Sequence, residues 1–211
     1  MNAATAIETT IPTLGPGAAG MRLSSEEFDQ GDFVEGWRYE LIDGVLVVNP
    51  APLPQERGSN ERLGHWLLQY QELHPQGSVL TDTLPEHDIF VNEQRRRADR
   101  VIWVGVNQPL DFAQTPTIAI EFVSQGKRNW LRDYEQKRAE YASIGIKEYW
   151  VINRFSRSLS VFIAGQGEQV FDERAVYRTP LLPGFELSMT KLLAVADQYA
   201  SRSARKNDEI E

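Results

Sequence analysis

The 211-residue chain contains no cysteine. That excludes a disulfide framework, a thiolate metal site and a cysteine nucleophile, and it suits a reducing, cytoplasmic location. Histidine is scarce: His65, His74 and His87 are the only three, and no pair has the spacing of a zinc-protease helix. Long apolar runs are missing too. None approaches the roughly 20 residues a membrane helix needs, and the N-terminus lacks the basic-then-apolar layout of a signal peptide. A soluble protein without a membrane partner is therefore expected. No phosphate-cradling loop, Gly-x-Ser-x-Gly elbow or dinucleotide fingerprint occurs. Positive charge is in deficit, with 22 Lys and Arg against 30 Asp and Glu and a formal net charge of -8. This disfavours a protein that coats nucleic acid by charge alone. It leaves open an enzyme that brings a divalent metal to a phosphodiester, because such a site must itself be acidic.

The length suits one domain of ordinary size. Residues 1–21, rich in Ala, Thr, Gly and Pro, read as a flexible or loosely docked arm. Residues 22–200 read as a single domain, and 201–211 as a polar tail. Within the domain, RYELIDGVLVVNP places two strand-forming runs around Asp43-Gly44, a dipeptide suited to a two-residue turn, which predicts a hairpin over 38–48. Leu63, Trp66, Leu67 and Tyr70 have helical spacing, with Pro75 as a stop, and predict a helix over about 59–73. Strands are expected at 78–82, 87–91, 100–106 and 117–123, and a helix at about 129–144 ending at Gly145. KEYWVIN and SLSVFIA follow as strands, then further strands near 168–178 and a short helix near 189–200. That order implies an α/β or α+β fold with a mixed sheet.

Two carboxylates interrupt strands that otherwise call for burial. Asp99 stands at the entrance of RVIWV, and Glu121 lies inside IAIEFV, on the face shared with Ala119 and Val123. An ionised carboxylate there is costly unless a cation or hydrogen bonds meet it. If the two strands pair antiparallel about a centre near residue 110, Asp99 and Glu121 fall opposite one another, and two hard oxygen ligands side by side suit Mg²⁺. Alternatively, Asp99 caps its strand and pairs with Arg100 or another arginine, while Glu121 reaches water at a sheet edge.

The second long helix adds a cation. Trp130, Tyr134, Lys137 and Tyr141 recur at helical spacing, so a lysine sits in the aromatic stripe that should pack on the sheet. Either its ammonium snorkels to solvent, or pairs with Asp133 four residues earlier, or it reaches the interior carboxylates. In the last case it would orient water and stabilise negative charge on a phosphate. Arg95, Arg96, Arg97 and Arg100, with Lys127, Arg128, Arg132 and Arg138, suggest a basic rim beside these positions, able to grip a phosphate backbone or serve only as a solvated face.

The succession YELIDGVLVV, RRADRVIWV, IAIEFVS and RDYEQKRAEYASIGIKEYWVI resembles the Uma-two family of restriction endonucleases, a bacterial group within the PD-(D/E)XK nuclease superfamily, over roughly residues 25–190. The most specific part is Asp133, Lys137, Tyr141, Gly145, Glu148, Tyr149 and Trp150. The resemblance implies a restriction-endonuclease-like mixed central β-sheet flanked by helices and a Mg²⁺-dependent active site. The superfamily aspartate falls on Asp99 and the second acid on Glu121. The lysine usually found two residues after that acid is replaced by Val123, and Lys137 on the following helix takes its place. The Tyr-Glu-Leu motif matches Tyr39, Glu40 and Leu41, which makes Glu40 a candidate additional acid, with Glu61 as its competitor. Ala98 stands where a proline is usual, and SQGK replaces a Ser-Pro-Ser stretch; neither departure removes a ligand.

The expected function is thus metal-dependent hydrolysis of DNA phosphodiester bonds. Asp99, Glu121 and the backbone carbonyl of Phe122 would hold Mg²⁺, with Mn²⁺ as a substitute, and Lys137 and Glu40 would assist. Double-stranded DNA is the expected partner, and a homodimer would suit cleavage of both strands. The rival reading is a catalytically inactive module of the same fold that binds nucleic acid or a protein.

Overall fold

A computed structural model of the protein describes residues 13–124 and 132–208. Two compact units divide the chain, one comprising the residues up to Ala51 together with Asn92–Arg96, the other Pro52–Val91 and the residues from Arg97 onward.

The first unit is organised by the expected hairpin. Strands β3 (Trp37–Ile42) and β4 (Val45–Pro50) pair antiparallel with Ile42 opposite Val45. Asp43 and Gly44 both take positive φ, 50° and 70°, as a tight turn with the twist of its strands requires. Leu41 also pairs with Arg95. Residues 13–21, read from composition as part of an arm, are docked. Strand β1 (Thr13–Leu14) pairs parallel with β2 (Asp32–Phe33), and Gly20 donates to the Leu46 carbonyl at 2.8 Å. Leu14 is fully buried beside Leu23, Phe28, Leu41 and Leu46. Phe28 comes from helix α1 (Ser25–Asp29), which Ser24 and Glu27 start with a reciprocal capping box.

The second unit is built on a mixed sheet. Helix α2 (Pro54–Leu73) begins more than a turn before the predicted residue 59. Pro54 occupies its first position, where a missing N–H costs nothing, and the Glu56 carboxylate accepts from the Leu53 N–H at 3.1 Å. The two short strands expected between 78 and 91 are one strand, β5 (Leu80–Val91), which pairs with β6 (Gln94–Val104) and accommodates Pro85. Next comes β7 (Ile118–Phe122). A π-helical turn (Arg132–Gln136) then runs into helix α3 (Lys137–Ser143). Strands β8 (Glu148–Asn153), β9 (Ser158–Ile163) and β10 (Gly167–Asp172) follow, then a small pair, β11 (Val176–Tyr177) and β12 (Leu187–Ser188). Helix α4 (Met189–Asp208) continues well past residue 200, into the stretch read as a polar tail. Strand order in this unit is β10-β9-β8-β7-β6, antiparallel except for the parallel pair β7 and β8.

Alternation along the central strands sends side chains to two faces. Ile102, Ile118, Ile120 and Ile152 pack with Leu63 and Leu67 of α2 and with Leu192 and Leu193 of α4. Val101, Ala119, Val123 and Val151 pack on the other face with Tyr134 and Tyr141. Each buried Leu or Ile contributes roughly 1.5–3 kcal/mol, in keeping with the complete burial of β7 and β8, whose charged or amide residues are Glu121, Glu148 and Asn153. Of these, Glu121 marks the site.

Candidate active site

The antiparallel register of β6 and β7 centres where the sequence placed it: Arg100 faces Ile120, Val101 faces Ala119 and Ile102 faces Ile118. Continuing that register brings Asp99 to Glu121. Both are buried, 7% and 3% exposed. The Asp99 carboxylate turns onto the neighbouring strand, where Oδ2 accepts from the Phe122 N–H at 2.6 Å. Glu121 lies on the face of Ala119 and Val123, as alternation requires.

Lys137 meets it there. The lysine is 2% exposed, and its Nζ donates to Glu121 Oε1 at 2.8 Å and to the Arg97 carbonyl at 2.6 Å. Of the destinations open to this ammonium, the structure selects the interior. Tyr134 and Tyr141 flank it in the same core layer, so the aromatic stripe packs on the sheet and carries the cation inward. Trp130, Lys127 and Arg128 lie outside the described residues, as do the side chains of Arg132 and Asp133.

Asp99 is held from behind by a second network on the opposite face of β6. Asn60 of α2 donates through Nδ2 to the Asp99 carbonyl at 2.6 Å and accepts through Oδ1 from Arg100 Nε at 2.7 Å. Arg100 also donates to the Asn60 carbonyl and to Thr83 Oγ1. Its guanidinium is 3% exposed, and burial lowers its pKa to about 10, partly countered by the charge of Glu61. Gly64 is what makes room: a Cβ there would sit 2.5 Å from Arg100 Nη2.

Glu40 and Glu61 are the further candidate acids. Glu40 lies in β3 of the first unit, 3% exposed, and accepts from Asn49 Nδ2 at 3.3 Å. Glu61 is exposed on α2. A third acid, Glu56, escaped the sequence reading because the proline cluster disguised the start of α2. It is 5% exposed and lines a small cavity with Gln55, Ser59, Phe122, Val123 and Arg154. The signal available was Pro54 two residues before Glu56, a helix-opening pattern.

The basic rim expected from residues 95–100 is not a solvated face. Arg95 is bidentate to Asp29, Arg97 pairs with Glu86 and Asp88, and Arg96 is 1% exposed. Strand alternation and nearby acids bury Arg95 and Arg96, and Arg97 stays partly exposed but paired. Arg138 lies over the Phe162 ring, 4.5 Å from its centroid.

Another buried acid serves the framework. Glu148, 2% exposed, accepts from Trp150 Nε1 at 2.8 Å, Tyr177 Oη at 3.0 Å and Thr179 Oγ1 at 2.6 Å. Burial and the Glu148 charge push the Tyr177 phenol well up. Glu148 thus ties the segment after β11 to the start of β8.

The donor types present would suit a hard divalent cation more than a soft one. Among the described residues no group of three or more His, Cys, Asp or Glu side chains converges, so an all-protein cage of the zinc or calcium kind is not offered. Asp99 and Glu121, with the Phe122 carbonyl, are the groups that would hold Mg²⁺, a cation that keeps several waters and takes further ligands from a phosphate. With one ammonium, the two carboxylates leave a formal charge of -1 for such a cation to neutralise.

A mixed sheet flanked by helices, with two acids at the junction of adjacent strands and a lysine delivered from the next helix, defines a restriction-endonuclease-like fold. The chain belongs to the Uma2 family, described as "Putative restriction endonuclease", whose model matches residues 25–190. Its fold is similar to the crystal structure of a "putative nuclease belonging to DUF820" from Anabaena variabilis ATCC 29413, with a TM-score of 0.70 at 17% identity, covering 82% of this chain and 99% of that one. No curated protein matches the chain. None of the described helices is long and apolar enough to cross a membrane.

Proposed function

We propose that the protein is a metal-dependent endonuclease that hydrolyses phosphodiester bonds of DNA. The observation that carries this reading is the buried trio of Asp99, Glu121 and Lys137, with the ammonium 2.8 Å from Glu121. A structural ion pair explains Lys137 and Glu121 but not a second carboxylate in register with them. Asp99, Glu121 and the Phe122 carbonyl would hold Mg²⁺ or Mn²⁺, which when bound supplies Lewis-acid polarisation of the phosphate and a more acidic water.

The chain's own groups do the positioning. The Phe122 N–H fixes the Asp99 carboxylate against β7, and Asn60 and Arg100 fix the backbone that bears it. Lys137, held by Glu121 and the Arg97 carbonyl, places a cation where negative charge grows on the phosphate and where an attacking water needs a hydrogen-bond donor. Burial of all three side chains strengthens these interactions by excluding bulk water.

Incubating the purified protein with duplex DNA and Mg²⁺ should give cleavage that chelation stops. Asp99→Ala and Glu121→Ala should each abolish it while circular dichroism shows a folded chain. Undiminished cleavage by both variants would refute the assignment.

A further inference from the structure

Apart from Lys137, a nuclease site needs cations that face the substrate rather than the protein. Among the described arginines that are not exposed, Arg154 is the one without a hydrogen-bond or ion-pair partner in the protein. Strand β8 runs parallel to β7 with Val151 beside Glu121 and Ile152 beside Phe122, and the Val123 N–H donates to the Ile152 carbonyl at 2.9 Å. The chain therefore leaves β8 at Arg154 along the same sheet edge at which β7 ends after Glu121 and Phe122. Asn153 Oδ1 accepts from the N–H groups of Phe155 and Ser156 at 2.9 and 3.1 Å, which fixes the turn that carries Arg154.

Arg154 is half-buried, and its guanidinium carbon lies 4.1 Å from the Phe155 ring centroid. It lines the cavity shared by Glu56, Ser59, Phe122 and Val123. Its Nε is buried without a hydrogen-bond partner, and among the described residues no carboxylate pairs with it. Gln55 Oε1, on the same cavity wall, is likewise unpaired. By contrast Arg95, Arg97 and Arg100 are each engaged by the protein. Buried polar atoms without partners are rare in native proteins; the cavity beside these two has room for about one water, so the phosphate contact falls to the rest of the guanidinium. A guanidinium stacked on an aromatic ring, with a planar fork of donors and no acceptor, is suited to an oxyanion.

We infer that Arg154 is a phosphate clamp, donating to a phosphodiester of the bound nucleic-acid strand next to the bond held at Asp99 and Glu121. The inference rests on the nuclease reading for its substrate, and its test separates the two. It also accounts for how an acidic chain holds a polyanion: one well-placed cation acts where net charge opposes binding.

The experiment uses the full chain and a fluorescent DNA duplex. Binding is measured by anisotropy across a salt series in the Asp99→Asn background, to prevent cleavage, and steady-state cleavage is measured with Asp99 intact. Arg154→Ala should weaken binding by about tenfold or more, lower the steepness of log K against log salt by about one, and raise KM more than it lowers kcat. Arg154→Lys should recover part of the affinity, since it keeps the charge and loses the fork. Mg²⁺ binding followed by calorimetry should stay at the parental value, because Arg154 bonds neither carboxylate, and circular dichroism should show a folded chain. Parental cleavage with Arg154→Ala matching the parent in affinity, salt slope and KM overturns the clamp and leaves the nuclease reading intact. Arg154-dependent binding without parental cleavage sustains the clamp and overturns the nuclease reading. A parental chain that binds no DNA overturns both.

Discussion

Replacing Lys137 with methionine tests the centre of the site. Methionine matches the length of the lysine stem, so the core around Tyr134 and Tyr141 keeps its volume while the ammonium disappears. At 2.8 Å from Glu121 Oε1, the gross attraction is about 6 kcal/mol for an effective dielectric of 20, and desolvation of the ammonium offsets part of it. What remains after substitution is a carboxylate only 3% exposed, stripped of its lysine, together with the Arg97 carbonyl deprived of a donor. Breaking one side of a buried pair costs about 3–5 kcal/mol. Urea unfolding at neutral pH should therefore show Lys137→Met less stable by that amount with an unchanged m-value. Removing both charges, in Lys137→Met with Glu121→Gln, should restore most of the loss, a recovery of roughly 2–4 kcal/mol over the single variant and so a large favourable coupling. A single-variant loss below about 1 kcal/mol, or a coupling near zero, would refute the description of Lys137 and Glu121 as a buried interdependent pair. Mg²⁺ should stabilise the single variant more than the parent, because a bound cation takes over the neutralising role.

Other perturbations follow from the same structure. Glu148→Ala orphans the Trp150, Tyr177 and Thr179 donors and should destabilise by roughly 3–5 kcal/mol in urea titrations, whereas Glu148→Gln, which keeps one acceptor, should lose about half as much. Gly64→Ala drives a methyl to 2.5 Å from the Arg100 guanidinium; it should cost about 1–3 kcal/mol and slow cleavage by displacing the Asn60 contact to Asp99. At alkaline pH, burial pushes the phenols of Tyr39, Tyr70 and Tyr177 above the ordinary 10.0. The unfolded chain then ionises first, so stability present below pH 10 should decline as pH rises beyond it, and these three of the seven tyrosines should yield tyrosinate absorbance at higher pH in the folded chain than in the unfolded one. Arg100, lowered to about 10, shifts stability the opposite way across the same range.

How far the sequence discloses this site depends on whether each signal is local. Asp43-Gly44 dictates its turn by backbone conformation alone, and the hairpin follows. Asp99 and Glu121 are legible because a carboxylate in an apolar strand violates its neighbours, and the symmetry of two runs around residue 110 supplies the register. Lys137 violates its helix face in the same manner. Leu14, by contrast, is buried by a parallel pairing with Phe33 across a stretch of Ala, Gly and Pro that has no period. Glu148 is no stranger at the head of a strand, and its partners Tyr177 and Thr179 come from about thirty residues away, where only the fold can introduce them.

The arginines show the limit most clearly. Composition counts 22 cations, and clustering in the sequence drew attention to residues 95–100. Yet a strand alternates its side chains between two faces, so consecutive arginines cannot share one surface. In the structure Arg95 answers Asp29, Arg97 answers Glu86 and Asp88, and Arg100 answers Asn60 and Thr83. Each cation satisfied within the protein is unavailable to a phosphate. A lone arginine after the last residue of β8 carries no sequence signal at all, but it follows a strand that runs parallel to the one bearing Glu121, and it stacks on its own neighbour rather than on an acid. Attraction for a polyanion in an acidic chain is therefore a matter of which cations the fold leaves unanswered, a property that emerges only once every partner has been placed.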